Sequence, residues 1–387
     1  MEKKLELMVE KQYEHDQDIV KYTQHKLRIR DKEIEEEILE KAQHIFMWVV
    51  LVVEMLNKAY DDGQIRAMWK KLHEVPSDLD EVFSNLLQKD NPNKQGTILM
   101  LQWVLFTMRR LRPEELYFAV LAGTDTAELG AWDRSEVDNK ATQRFITSTS
   151  KGLIEVRKGT HADTVQFIHE SVNDFLIRNQ RLQKLDLALE PYAIGASHDR
   201  LASCCMSYIM RKELDSIVTS MLQREKLTGC YPFLEYASTQ VLAHAEKAQA
   251  GCVSQEALLQ RLQKLDGDFD RLKGFHDVFR RFYNHYNNAG LLYALSLGGY
   301  YQLVRLVLLE LKADVNAQGG QYGSALQAAA SFGPPRLEVV ALLLKHGADV
   351  NASGGEYGSA VQLAMWGSDY NKAVVELLLK HGATGLC

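Results

Sequence analysis

Residues Ala313–Gly347 read ADVNAQGGQYGSALQAAASFGPPRLEVVALLLKHG, and residues Ala348–Gly382 read ADVNASGGEYGSAVQLAMWGSDYNKAVVELLLKHG. The second stretch repeats the first at an offset of 35 residues, with 21 of the 35 positions identical. Identity that dense at a fixed period marks a stacked repeat, in which each unit covers the apolar face of its neighbour. A weaker copy precedes the pair: Leu291, Ala294, Val304 and Leu308 align with Leu326, Ala329, Val339 and Leu343 at the same offset. The sequence therefore predicts about three repeats over 286–387.

One repeat can be read residue by residue. Gly347 suits the left-handed position that closes a helix. Asp349, Asn351, Gly354 and Gly355 are turn formers. Ser359-Ala-Val-Gln-Leu-Ala364 starts a short helix whose small residues allow close stacking, and Val374, Val375, Leu377, Leu378 and Leu379 give a second helix its apolar face. The unit resembles an ankyrin repeat, with its A-D-V-N-A finger and G-A-D-V-N junction. It departs from that pattern at Ser324-Ala-Leu-Gln327, where T-P-L-H is usual, and in two extra residues that include Pro334-Pro335. Both departures fit a turn.

The rest of the chain bounds the function. A composition of 46% hydrophobic and 25% charged residues is globular. A net charge of -6 argues against a bulk nucleic-acid or membrane binder. The five cysteines show no C-x-x-C and no paired spacing, the pattern of a reducing compartment. The charged opening MEKKLELMVEKQ is not a signal peptide, and Ile45–Val53 is too short to span a bilayer. A cytoplasmic or nuclear setting is expected, with cytoplasmic the default.

Residues 1–90 read as a helical module, with the apolar run His44–Leu56 as a buried helix and Pro76 ending one helix before Ser77 or Asp78 caps the next. Residues 91–183 read as a winged-helix-like module: helices over Ile98–Met108, Arg112–Leu121 and Asn139–Thr149, strands over Gly152–Val156 and Thr164–Ile168, then a helix from His169. Residues 184–285 read as a helical connector. The expected fold is mainly α, ending in an ankyrin-repeat α-solenoid.

The succession FMWVVLVVEMLNK, E-V-P-S-D-L, LRPEELYFAV, SKGLIEV and VQFIHESVNDFL resembles the C-terminal half of fungal NACHT proteins, relatives of NOD-like receptors. That resemblance covers roughly residues 10–180 and implies a switch NTPase with sensor repeats and a role in non-self recognition. The chain lacks a G-x-x-x-x-G-K-[ST] loop, whose backbone N–H groups and lysine hold phosphates. A remnant without its NTPase core is therefore expected, and no enzyme activity or cofactor. The resemblance implies that His169 stands where the family contacts bound ADP; the alternative is that His169 caps a helix beside Glu170 and Ser171.

Other motifs carry two readings as well. Cys204-Cys205 is a packed pair or a redox site. Asp266-Gly-Asp-Phe-Asp270 is an acidic turn or a calcium loop, though Arg271 stands where that loop needs Gly. There is no G-x-S-x-G, no H-E-x-x-H and no metal-spaced cluster. His346 and His381 recur beside the glycine that ends each helix, where the helix dipole favours them.

The expected activity is protein–protein interaction through the finger and short-helix face: Gln318, Gln321, Tyr322, Ser353, Glu356, Tyr357 and Trp366. Tyr322 and Tyr357 either present rings to a partner or pack finger on finger. In the first case, alanine at both would weaken partner capture and leave the fold intact. Two rival classes remain: the C-terminal portion of a nucleotide switch whose P-loop core is missing here, and a winged-helix DNA binder, for which Asp138–Thr149 offers only Lys140 and Arg144. The last repeat does not look polar on its outer face, which suggests truncation, or self-association or a partner docking there.

Overall fold

The computed structural model describes residues 16–384 except 86, 88–90, 126–128, 161, 216–223, 265–266, 281–285, 287, 332–335 and 367–370. Pro334-Pro335, Tyr370 and Asp266 thus lie outside the described residues. The chain divides into two compact units, one running to Thr124 and resuming over Arg134–Glu190, the other formed by Asp125–Asp133 and everything from Pro191 onward.

The first unit is built around α3. Helices α1 (16–26), α2 (Lys32–Ala42), α3 (Phe46–Asp61), α4 (Ile65–Glu74) and α5 (Leu79–Ser84) come first. The unbroken apolar run Phe46–Val53 is buried on every face, which only a central helix can satisfy. Polar bonds fix the segments around it. Asn57 of α3 accepts from Arg28 N at 2.9 Å and donates to Lys26 O at 2.8 Å, closing the end of α1. Trp48 Nε1 donates to Pro76 O at 2.7 Å. Asp78 caps α5 through Glu81 N at 2.9 Å.

Helices α6 (Lys94–Phe106), α7 (Pro113–Thr124) and α8 (Asn139–Thr149) follow, then the antiparallel pair β1 (Ile154–Arg157) and β2 (Thr164–Phe167), then α9 (Glu170–Ile177) and α10 (Arg181–Leu185). The register pairs Ile154 with Phe167 and Arg157 with Thr164. Pro113 opens α7, where its missing N–H costs nothing. Glu115 of that first turn is buried and bidentate to Arg109, at 2.8 and 2.7 Å, and also accepts from Arg112 N at 2.8 Å. The first strand begins two residues later than the sequence suggests. Lys151 (φ 56°) and Gly152 (φ 77°) are left-handed because they close α8, so neither can be extended.

The second unit starts with α11 (Ala193–Ile209), α12 (Arg224–Cys230), α13 (Leu234–Ala250), α14 (Glu256–Gln263) and α15 (Asp268–Arg280). Helices α11 and α13 pack most extensively. They approach closely because Gly195 faces Gly251: a Cβ on Gly195 would lie 2.2 Å from the Gly251 carbonyl oxygen. Between them His198 Nδ1 meets His244 Nδ1 at 3.0 Å, and His244 Nε2 meets the Tyr236 hydroxyl at 2.9 Å. Cys204 and Cys205 are buried in α11, and burial pushes the Cys204 thiol up to about 12. Asp125–Asp133 joins this unit through Trp132 N, which donates to Cys230 O at 2.7 Å.

The solenoid consists of α16 (Leu291–Gly298), α17 (Tyr301–Leu309), α18 (Ala325–Ala330), α19 (Leu337–Lys345), α20 (Ala360–Met365) and α21 (Lys372–Lys380). Helices α16, α18 and α20 stack in one row and α17, α19 and α21 in another. Glu246 of α13 accepts from Gln302 N at 2.9 Å and Leu303 N at 3.0 Å, so the connector supplies the anion at the start of α17. No helix among the described residues is long and apolar enough to cross a membrane.

Candidate protein-binding site on the repeats

The finger around Gly319–Gly323 is a turn held by its own backbone and clamped to the next. Gly319 N donates to Gly323 O at 2.7 Å, across the bridge between Gln318 and Ser324. Glu356 N of the following finger donates to Gln321 O at 2.9 Å. This close approach requires Gly355 (φ 69°), where a Cβ would sit 2.4 Å from the Tyr322 carbonyl carbon. The T-P-L-H departure is accommodated by polar bonds. Ser324 caps α18 through Gln327 N at 3.3 Å, and Gln327 Nε2 crosses to Gly354 O at 3.0 Å. In the next repeat Ser359 and Gln362 form a capping box.

The structure sorts the seven expected contact residues into groups. Gln318, Ser353, Glu356 and Trp366 are exposed. Gln321 and Tyr357 are half-buried and mutually occupied: Gln321 Nε2 donates to Glu356 Oε2 at 2.9 Å and to the Tyr357 hydroxyl at 3.1 Å. Tyr322 is 6% exposed and belongs to the core with Tyr293, Ala328 and Leu363. The expectation that Tyr322 offers its ring is therefore corrected. Its N–H donates to the Tyr293 hydroxyl at 3.1 Å, and its ring packs on Tyr357 with centroids 5.5 Å apart. Alanine at Tyr322 would open the core and would not leave the fold intact.

The aromatic contacts continue outward. Tyr357 meets Trp366 edge-on at 5.9 Å, and Trp366 stands 56% exposed at the end of α20. Met365 beside it is 41% exposed, a contact candidate the sequence reading missed. Tyr293 was missed too, because it lies outside the 35-residue register that picks out Tyr322 and Tyr357.

The exposed residues of the last helix are Lys372, Ala373, Glu376, Leu379 and Lys380. This face is more polar than the sequence suggested; Leu379, 38% exposed, is its one large apolar side chain among the described residues. His381 Nδ1 donates to Leu377 O at 2.9 Å, so it caps the helix end. His169 also acts as a cap: its Nδ1 accepts from Ser171 N at 3.1 Å, and its ring lies 4.6 Å from that of Phe46. No group of three His, Cys, Asp or Glu residues among the described residues is arranged to hold a metal ion.

Comparison with known proteins bears on the repeats and not on the individual contact residues. The chain is 28% identical over 296 residues to azaphilone pigments biosynthesis cluster protein L of Monascus ruber, a match covering 68% of this chain and 58% of that protein. The chain thus spans a little over half the length of that relative. Residues 276–385 match the family described as ankyrin repeats, in three copies, starting ten residues before the expected 286. The C-terminal solenoid is an ankyrin-repeat stack, the architecture through which such chains bind other proteins.

Proposed function

We propose that the chain is a non-enzymatic interaction protein whose ankyrin repeats hold a protein partner on the finger and short-helix face. The carrying observation is an exposed strip of Gln318, Ser353, Glu356, Met365 and Trp366 on a frame whose own polar groups bond from finger to finger. A rigid frame loses little entropy on binding, and an exposed tryptophan beside a second apolar side chain is a common anchor. The partner surface offers an apolar socket for Trp366 and donors for Glu356. In this reading the chain is a cytoplasmic remnant of a NACHT–ankyrin receptor, needs no cofactor, and serves non-self recognition. Immobilised full-length chain should retain a specific partner that W366A/E356A loses, with the melting temperature unchanged. Equal retention by both would remove the assignment.

A second reading, the nucleotide-switch portion of a larger receptor, draws on His169 at the start of α9. It predicts that adding a P-loop core in trans makes ADP binding sensitive to H169A. Self-association through Trp366, Met365 and Leu379 is the third reading, and it predicts a dimer in sedimentation that W366A dissociates.

A further inference from the structure

The first unit contains a cleft that the repeats do not explain. It has a volume of about 1390 Å³ and lies between the C-terminal half of α3, α4 and α8. Six cationic side chains line it, against the two carboxylates of Glu54 and Asp61. That sign is opposite to the chain's net charge of -6. Asp61 is already taken by an ion pair with Arg28. Lys58, Lys71, Lys140, Arg144 and Lys151 have no side-chain hydrogen bond or ion pair among the described residues. They come from three helices and a helix end far apart in sequence, so the fold brings like charges together at a cost in self-repulsion. Lys151 carries the signature of that crowding. Burial, together with the charge of Lys58, pushes its ammonium below the usual lysine range even though the carboxylate of Glu54 pulls the other way. It also sits at φ 56°, a conformation that glycine adopts more cheaply.

The ligand class follows from the lining. A surplus of point-charge ammoniums calls for several negative charges in a small volume. The hydroxyl of Thr147 adds a neutral donor at the rim, while that of Ser148 donates to Phe145 O at 3.3 Å. Among the described lining residues Phe145 is the aromatic side chain, and it is half-buried and edge-on to Tyr117 at 4.8 Å, so the cleft offers a base far less than it offers an anion. Lys140 and Arg144 line the same concavity as Lys58 of α3, so this face of α8 is not the convex ridge that enters a major groove. We propose that the cleft binds a compact ligand bearing several phosphate groups, held by Lys58, Lys71, Lys140, Arg144 and Lys151. Phosphates at several points neutralise the crowded cations, and the ligand's affinity falls as salt screens them.

The test titrates full-length protein calorimetrically with inorganic tripolyphosphate, and separately with a short DNA duplex and a single strand. Saturable one-to-one tripolyphosphate binding is expected. K58Q/R144Q should weaken it about tenfold per cation removed, while K380Q on the solenoid changes nothing. K151G separates ligand binding from folding. It should weaken tripolyphosphate while raising the melting temperature by about 2–4 °C, because both repulsion and backbone strain are relieved. Sedimentation with phosphatidylinositol bisphosphate vesicles then sorts the source. Co-sedimentation competed by tripolyphosphate assigns a lipid headgroup; no co-sedimentation alongside calorimetric binding assigns a soluble polyphosphate. Tripolyphosphate binding that is absent, or unchanged in K58Q/R144Q, overturns the proposal. DNA binding without tripolyphosphate binding overturns it in favour of a nucleic-acid groove.

Discussion

The side chain of Asn316 joins its finger to Asp349 of the next: Asn316 Oδ1 accepts from Asp349 N at 2.8 Å, while Asn316 Nδ2 donates to Gly347 O at 3.1 Å. One period later Asn351 does the same, accepting from Thr384 N at 2.8 Å and donating to Gly382 O at 3.0 Å. The asparagine is held in place by its own turn, since Asp314 accepts from Asn316 N and Asp349 from Asn351 N, both at 2.9 Å. The recurring A-D-V-N thus encodes a turn and a staple between repeats.

Removing the staple tests that role. Asn316→Ala leaves one backbone donor and one acceptor to water, and should cost about 1–2 kcal/mol in urea unfolding. Asn351→Ala, which removes the equivalent bonds to Gly382 and Thr384, should cost a similar amount. Equal and negligible effects would reduce both to ordinary turn residues.

Glu115 should be the most sensitive charge in the first unit. Burial pushes its carboxyl up, but the hydrogen bonds and charges of Arg109 and Arg112 outweigh burial and hold it below its ordinary value of 4.5. The stabilisation is therefore complete above that value and is lost as pH falls through the lowered one. Glu115→Ala leaves Arg109 and Arg112 without their anion and should destabilise by about 3–5 kcal/mol. Circular dichroism melts of the variant check this.

The His198–His244 pair makes the second unit acid-sensitive. Burial depresses His244 to about 3, aided by the charge of His198, and His198 to about 4, aided by that of Lys247. The unfolded chain takes up protons on both near 6.5, before the folded chain does. Stability is thus full above that pH and declines as pH falls towards the folded values, by several kcal/mol as an order of magnitude. Urea midpoints near pH 7.5 and near pH 5 should differ, and His198→Gln should reduce the difference. Midpoints independent of pH would contradict the neutral pair.

Tyr322 and Trp366 should behave oppositely. Tyr322→Ala removes a core ring and should lower stability by about 3–5 kcal/mol. Trp366→Ala removes an exposed one and should leave stability within about 0.5 kcal/mol. Thermal melts of the two variants separate core from contact.

Much of the fold was legible because its signals are local or periodic. The 35-residue period, the all-round apolar run of α3 and the Pro113 helix start each depend on neighbours in sequence. The assignment of Asp125–Asp133 to the second unit was not legible, since it rests on long-range bonds from Trp132 to Cys230 and from Arg211 to Leu129. The basic cleft was hidden for the same reason. Lys140 and Arg144 look sparse on α8 alone and become a cluster only when α3 and α4 bring Lys58 and Lys71 alongside. Among the candidate contacts, spacing found the recurring tyrosines but could not say which of them the stack buries.

The most direct measurement is site-specific photocrosslinking in source-cell extract, with the probe placed in turn at Gln318, Ser353 and Trp366 and at Lys345 and Lys380 on the outer helices. The proposed function predicts one discrete protein adduct common to the finger and short-helix positions and missing from the outer ones. Adducts confined to the outer helices, or none from the finger strip, would contradict it.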